Sequence, residues 1–118
     1  MDNQTFLYHI TSESEWNTAR NKGEYLPQGF AEDGFIHCSY RHQILTVANR
    51  FYRRQNGLAI LVIESSTIKS SLVEENLAGE TELYPHLYSP LPINSVVKVI
   101  AFPCNIDGSF ILPEELKV

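Results

Sequence analysis

Strands interrupted by only two helices and closing on a hairpin predict an α+β domain whose sheet is mixed or antiparallel rather than doubly wound and parallel. Three observations carry that expectation: capped or striped helical segments at 12–22 and 41–55, the unbroken apolar run LAILVIE at 58–64, and the Asp107-Gly108 turn signal near the C-terminal end. No internal repeat or low-complexity tract interrupts the pattern.

Phe6 to Thr11 (FLYHIT) is rich in rings and predicts the first strand, with His9 toward its far end. Ser12 follows as a helix cap, with Glu15 placed to reach back to it. That helix runs to about Lys22, where Gly23 supplies a left-handed stop, and Pro27 with Gly29 keeps the next stretch irregular. Phe35 to Cys38 (FIHC) predicts a short strand, and Ser39 then caps the second helix, so His37 lies just before a helix start. From Arg41 to Gln55, Ile44, Val47, Ala48 and Phe51 recur at helical spacing and define one buried stripe. Gly57 ends that helix, and Leu58 to Glu64 has the continuous apolar character of a central strand covered on both faces. Leu72 to Glu75 predicts a further strand. The prolines at 85, 90 and 92 make ELYPHLYSPLP an ordered loop without regular pairing. Val96 to Phe102 is the last long strand, and the chain returns from Asp107-Gly108 through Phe110 to Leu112.

A chain of 118 residues fits one domain, with an expected radius of gyration of roughly 13 to 14 Å. Its hydrophobic share of 43% supplies a core without metal or disulfide staples. The net charge is −5 and no basic run exceeds Arg53-Arg54, so an extended phosphate-binding face, and with it a duplex nucleic acid partner, is not expected. A pocket with one arginine still accommodates a single nucleotide. The opening MDNQTFLYHI lacks the basic and apolar regions of a secretion signal, and the run at 58–63 is far shorter than a membrane span; a cytoplasmic protein without membrane contact is expected. Cys38 and Cys104 have no CxxC spacing and read as reduced core residues.

Three of the four histidines sit in aromatic contexts at the edges of elements: His9 in YHIT, His37 in GFIHCS and His86 in YPHLY. Converging imidazoles would line a pocket suited to a polar ligand or a proton transfer; unrelated, half-buried histidines fit the same spacing. Strand alternation puts Thr5, Leu7, His9 and Thr11 on one face, and Phe35, His37 and Ser39 on another. His37 and Ser39 beside a helix start suit a phosphate or carboxylate, although a structural cap alone is the first reading of Ser39. No HxH or HxxxH spacing supports zinc at the three histidines, and no metal is expected. Cys38 points away from its neighbour His37 and is a poor nucleophile candidate. Glu74, Glu75, Glu80 and Glu82 form an acidic neighbourhood, and Arg50, on the flank of the second helix's stripe, reaches either a phosphate or a surface partner.

Taken together, YHIT, GFIHCS and YPHLYSPLP resemble, over nearly the whole chain, the small bacterial and plant family catalogued as domain of unknown function 952. That family is similar in fold to the ADP-ribosyltransferases and NAD-dependent RNA 2′-phosphotransferases, in which a split, strongly bent mixed sheet grips NAD between its halves. The resemblance implies NAD or an ADP-ribose derivative as a small-molecule nucleotide ligand. It implies that His9, with Thr11, holds the dinucleotide, that His37 matches the phosphotransferases' second-motif histidine followed by a small hydroxyl residue, here Ser39, and that His86 is a third-motif residue with Tyr88 nearby. Where many transferases carry a glutamate on a late strand, this chain reads Val96-Val97-Lys98-Val99-Ile100, which leaves Glu74 as the candidate carboxylate. Two function classes follow. One is a transferase or hydrolase with His37, His86 and Glu74 at the reacting ribose and His9, Thr11, Ser39, Arg50 and Tyr88 on the ligand. The other is a non-catalytic module that binds a small anion or nucleotide in the same pocket. A structural adaptor with core histidines ranks behind both, since no apolar surface stripe is left unassigned.

Overall fold

The LAILVIE run forms the middle strand of an antiparallel three-stranded sheet, and it is apolar throughout because both its faces are covered. In this computed structural model, which describes residues 6–76, 79 and 81–117, the elements are β1 (Phe6–Ser12), α1 (Glu13–Arg20), β2 (Glu24–Tyr25), α2 (Phe30–Asp33), β3 (Ile36–His37), α3 (Ile44–Phe51), β4 (Leu58–Glu64), β5 (Leu72–Glu75), β6 (Tyr84–Leu87), β7 (Leu91–Pro92) and β8 (Val96–Ala101). Thr5 and Glu80 lie outside the described residues. In the order β1-β4-β8, alternate β4 side chains enter different cores. Leu61 and Ile63 join Leu7, Trp16, Tyr25 and Leu87 on one face, and Leu58, Ile60 and Val62 join Ile10, Ile44, Ala48 and Phe102 on the other.

A second antiparallel sheet has the order β3-β6-β5, and β2 pairs with β7. The two larger sheets meet where Tyr8 and Ser39 exchange backbone hydrogen bonds of 2.9 and 2.8 Å. Every strand pairing among the described residues is antiparallel, which makes the fold α+β with an antiparallel rather than mixed sheet. The radius of gyration is 13.7 Å, within the range expected for a compact chain of this length. Among the described residues, no helix is long and apolar enough to cross a membrane.

Several sequence expectations are corrected by tertiary contacts. The segment at 84–87, expected as an unpaired loop, is instead the central strand of the second sheet. Pro85 is tolerated there because its carbonyl, and hence the side where its N–H is missing, faces the end of the two-residue β3, where it accepts the Cys38 amide at 3.0 Å. Tyr84 and His86 pair toward β5 instead. Ser12 caps α1 as expected, its Oγ accepting the Glu15 amide at 3.1 Å, but the Glu15 carboxylate turns to the Thr11 hydroxyl and the Gln28 amide. α1 closes at Arg20 with a tightened last turn, and Gly23 follows at φ 84°.

The second helix starts from Tyr40, not Ser39: the Tyr40 amide donates to Gln43 Oε1 at 3.0 Å, while the Ser39 backbone is spent on Tyr8. A single 3-10 turn (Arg41–Gln43) leads into α3, which stops at Phe51, short of Gln55. There the Arg54 amide is drawn to the carbonyl of Gly108. Ile44 and Ala48 are fully buried and Val47 is half-buried, but Phe51 is 62% exposed. The Asp107-Gly108 turn forms, closed by Gly108 N–H to Asn105 O at 2.9 Å, yet 110–112 adds no strand; Phe110 packs into the core and its amide bonds Asn49.

Candidate functional site

At the junction of the two sheets, β1, β3, β6 and α3 surround a cavity of about 450 Å3, and His9, His37 and His86 all line it. Strand register explains the meeting of the last two, since His37 on β3 lies directly opposite His86 on β6. Their rings are 5.4 Å apart between centroids. Phe35, two residues before His37 on the same face, stacks on His86 at 4.0 Å and 17° and meets the His37 ring edge-on at 4.7 Å.

Each of these imidazoles is held by a carboxylate. His86 is buried, and its Nδ1–H donates to Glu75 Oε2 at 2.8 Å. On the shared face of β5 and β6, Val73 stands opposite His86 and Glu75 opposite Tyr84, so Glu75 is His86's diagonal neighbour. The Tyr88 hydroxyl donates to the same Glu75 oxygen. These two hydrogen bonds, Tyr88's first, hold the Glu75 carboxyl below the usual carboxylate range. With Nδ1–H fixed on Glu75, His86 Nε2 has no protein partner among the described residues. His37 is exposed, and its Nε2 lies 3.1 Å from Asp33 Oδ2. Asp33 ends the four-residue α2, which Gly34 stops at φ 82°.

His9 is committed on both sides. Its Nδ1–H donates to the carbonyl of His37 at 2.6 Å, and its Nε2 lies 2.7 Å from the Tyr25 hydroxyl. Tyr25 donates to Thr11 Oγ1 at 2.8 Å, and Thr11 to Glu15 Oε1 at 3.2 Å. Burial lowers His9 to about 4. Cys38 also lines the cavity, and burial pushes its thiol up to about 12, which keeps it protonated at neutral pH.

Residues 10–99 match the model of the family described as "Protein of unknown function (DUF952)". The chain belongs to this family. The crystal structure of protein CC0527 from Caulobacter crescentus is similar to the DUF952 chain, with 31% identity and a TM-score of 0.86 over 95% of this chain and 98% of that one. The solution structure of CC0527 gives 30% identity and a TM-score of 0.81, covering 93% and 95%. No curated protein matches the chain.

The DUF952 cavity gathers most, though not all, of the residues singled out from sequence. Ser39 and Arg50 line it beside the three histidines, with the Arg50 guanidinium 5.2 Å from the Phe51 ring centroid. Thr11 sits behind His9, with its hydroxyl bonded to Tyr25 and Glu15. Tyr88 stands at the edge, its ring 5.3 Å from Phe35. Glu74 does not line the cavity: strand alternation turns it to the other face of β5, where it accepts the Tyr40 hydroxyl. The amides of Cys38, Ser39 and Tyr40, which precede the helix, are donated to Pro85, Tyr8 and Gln43.

His42 is outside the site and pairs with Glu82 at 3.0 Å. Sequence reasoning missed Asp33 and Tyr25, put Phe35 on the His37 face without giving it a role, and passed over Glu75 for its neighbour. The FAED segment between Gly29 and Gly34 was the available signal for Asp33. Among the described residues, no group of three or more His, Cys, Asp or Glu side chains is arranged to hold a metal.

Proposed function

We propose that the cavity binds a phosphorylated nucleotide of the NAD or ADP-ribose class and that His86 and His37 carry acid–base chemistry on it. The observation that carries this reading is the pair of carboxylate-held imidazoles, His86–Glu75 and His37–Asp33, 5.4 Å apart across Phe35 inside one cavity. His86, whose Nδ1–H is held by Glu75, presents Nε2 as a base in a set orientation, and His37, held at Nε2 by Asp33, presents Nδ1. The volume lies in the range of small-molecule sites, the aromatic walls of Phe35, Phe51 and Tyr84 suit a flat heterocycle, and Arg50 suits a phosphate. Two sheets meeting at the Tyr8–Ser39 bridge with the cavity at their junction also support the likeness to the split-sheet ADP-ribosyltransferases.

In this reading, an acceptor hydroxyl or water attacks the ribose carbon as the bond to nicotinamide breaks. His86 Nε2 takes the acceptor's proton, and nicotinamide leaves with the bonding pair. Positive charge builds on the ribose, and the ionised Glu75 carboxylate opposes it, in the role the sequence suggested for Glu74. A second reading, a binding module without turnover, is favoured by the engagement of Glu75 with both His86 and Tyr88. Nicotinamide release from NAD decides between them. The enzyme reading expects release by wild type, and in Glu75→Gln a loss of about 100-fold or more with NAD affinity nearly unchanged. Saturable NAD binding without release selects the module, and absence of both binding and release overturns the nucleotide reading.

A further inference from the structure

A chain of close polar contacts leads away from the cavity through His9. Glu15 Oε1 accepts the Thr11 proton, Thr11 Oγ1 accepts the Tyr25 proton, and Tyr25 Oη lies 2.7 Å from His9 Nε2. Because the Tyr25 proton is spent on Thr11, a hydrogen bond at Nε2 needs a proton on that nitrogen. At the other side of the ring, Nδ1 faces the carbonyl of His37, which only accepts. All four contacts are satisfied together only by an imidazolium; a neutral His9 with an ionised Glu15 supplies one proton too few.

Burial opposes that charge and holds His9 at about 4, the His37 imidazole adding to the effect, while the His37 carbonyl and the Glu15 carboxylate act the other way. The charged and titratable groups around His9 are Glu15 on α1, Tyr25 on β2 and His37 on β3, with Cys38, Arg50, Tyr52, Glu75, Tyr84 and His86 lining the same cavity. From β4, only the apolar Leu61 stands opposite.

We propose that His9 is a proton-loadable cation in the cavity wall, neutral while the cavity is empty and charged by one proton when a phosphate-type oxyanion binds. The proton enters at half-buried Glu15. It passes from Glu15 to Thr11, the Thr11 proton passes to Tyr25, and the Tyr25 proton passes to His9 Nε2. Each proton moves across one contact, no heavy atom need shift, and every contact is left holding one proton. A negative charge about 5 Å from the ring, at an effective dielectric of about 20, raises proton affinity by about a hundredfold, which offsets the effect of burial. This rests on the cavity taking an anion, as proposed above, and not on catalysis.

Calorimetric titration with sodium sulfate, a dianion that does not itself titrate near neutrality, reads the protons taken up when it is done in two buffers of different ionisation enthalpy. At about pH 5.5, wild type should take up roughly half a proton or more per sulfate in excess of His9→Gln, in which His37 and His86 remain as background. Nitrogen NMR of the His9 ring in wild type needs no variant. It should show the neutral Nδ1–H form without sulfate and the imidazolium at saturation. Equal uptake by both proteins, a ring that stays neutral at saturation, or no sulfate binding overturns the proposal. Nicotinamide release enters none of these readings, so a failure of the enzyme reading leaves the result standing.

Discussion

Glu75 carries two hydrogen bonds on one oxygen, from the Tyr88 hydroxyl and from His86 Nδ1. Tyr88's bond is the larger cause of the lowered Glu75 carboxyl, so Tyr88→Phe should raise the Glu75 titration toward the ordinary carboxylate value, read by carbon-detected NMR. An unmoved titration would mean that Tyr88 does not bond Glu75 in solution. The two thiols differ as sharply. Cys38 is buried with its thiol pushed up to about 12, whereas Cys104 is half-buried and donates to Asn56 Oδ1. A thiol-specific disulfide reagent at neutral pH should therefore label Cys104 in the folded protein and Cys38 only on unfolding. Rapid labelling of Cys38 in the native state would contradict its placement.

At the scale of elements, β4 takes the largest share of the packing, and Leu61 at its centre is wholly buried. Leu61→Ala should cost about 3 kcal/mol in urea unfolding. A loss within about 0.5 kcal/mol of zero would mean that the strand is not central. Gly108 stands at φ 88°, and a Cβ there would collide with Arg54 Cγ and lie 3.2 Å from the Arg54 backbone nitrogen, so Gly108→Ala should lower stability by about 2 kcal/mol. β4 was legible because burial on both faces leaves an unbroken apolar run, and β1 because it is dense in aromatic and β-branched residues. β6 was not, since a central strand carrying Pro85 is admissible only opposite a neighbour as short as β3, a fact of topology that no local pattern encodes. The same limit applies to the site. Strand alternation suggested that Phe35, His37 and Ser39 share a face, but the choice of Glu75 over Glu74 depends on the register of β5 against β6.

For the whole molecule, His9 ties stability to pH. Its folded value of about 4 lies below the ordinary 6.5, so between those limits the unfolded chain binds more protons than the native one. Stability therefore rises with pH through this window and is lost as pH falls from about 6.5 to about 4, by about 3 kcal/mol in full. Glu75, also lowered, adds loss in the same direction at still lower pH. Urea midpoints across this range should fall in wild type and flatten in His9→Gln; parallel slopes would show that His9 is not buried neutral. The same burial sets His9 behind His37 at the junction of the two sheets, where the fold places its cavity. Calorimetric titration of ADP-ribose into wild type and His86→Ala decides whether that junction is the ligand site. Saturable binding by wild type, weakened about tenfold or more in the variant, is the predicted result. Equal affinity in the two proteins, or no binding by wild type, would contradict it.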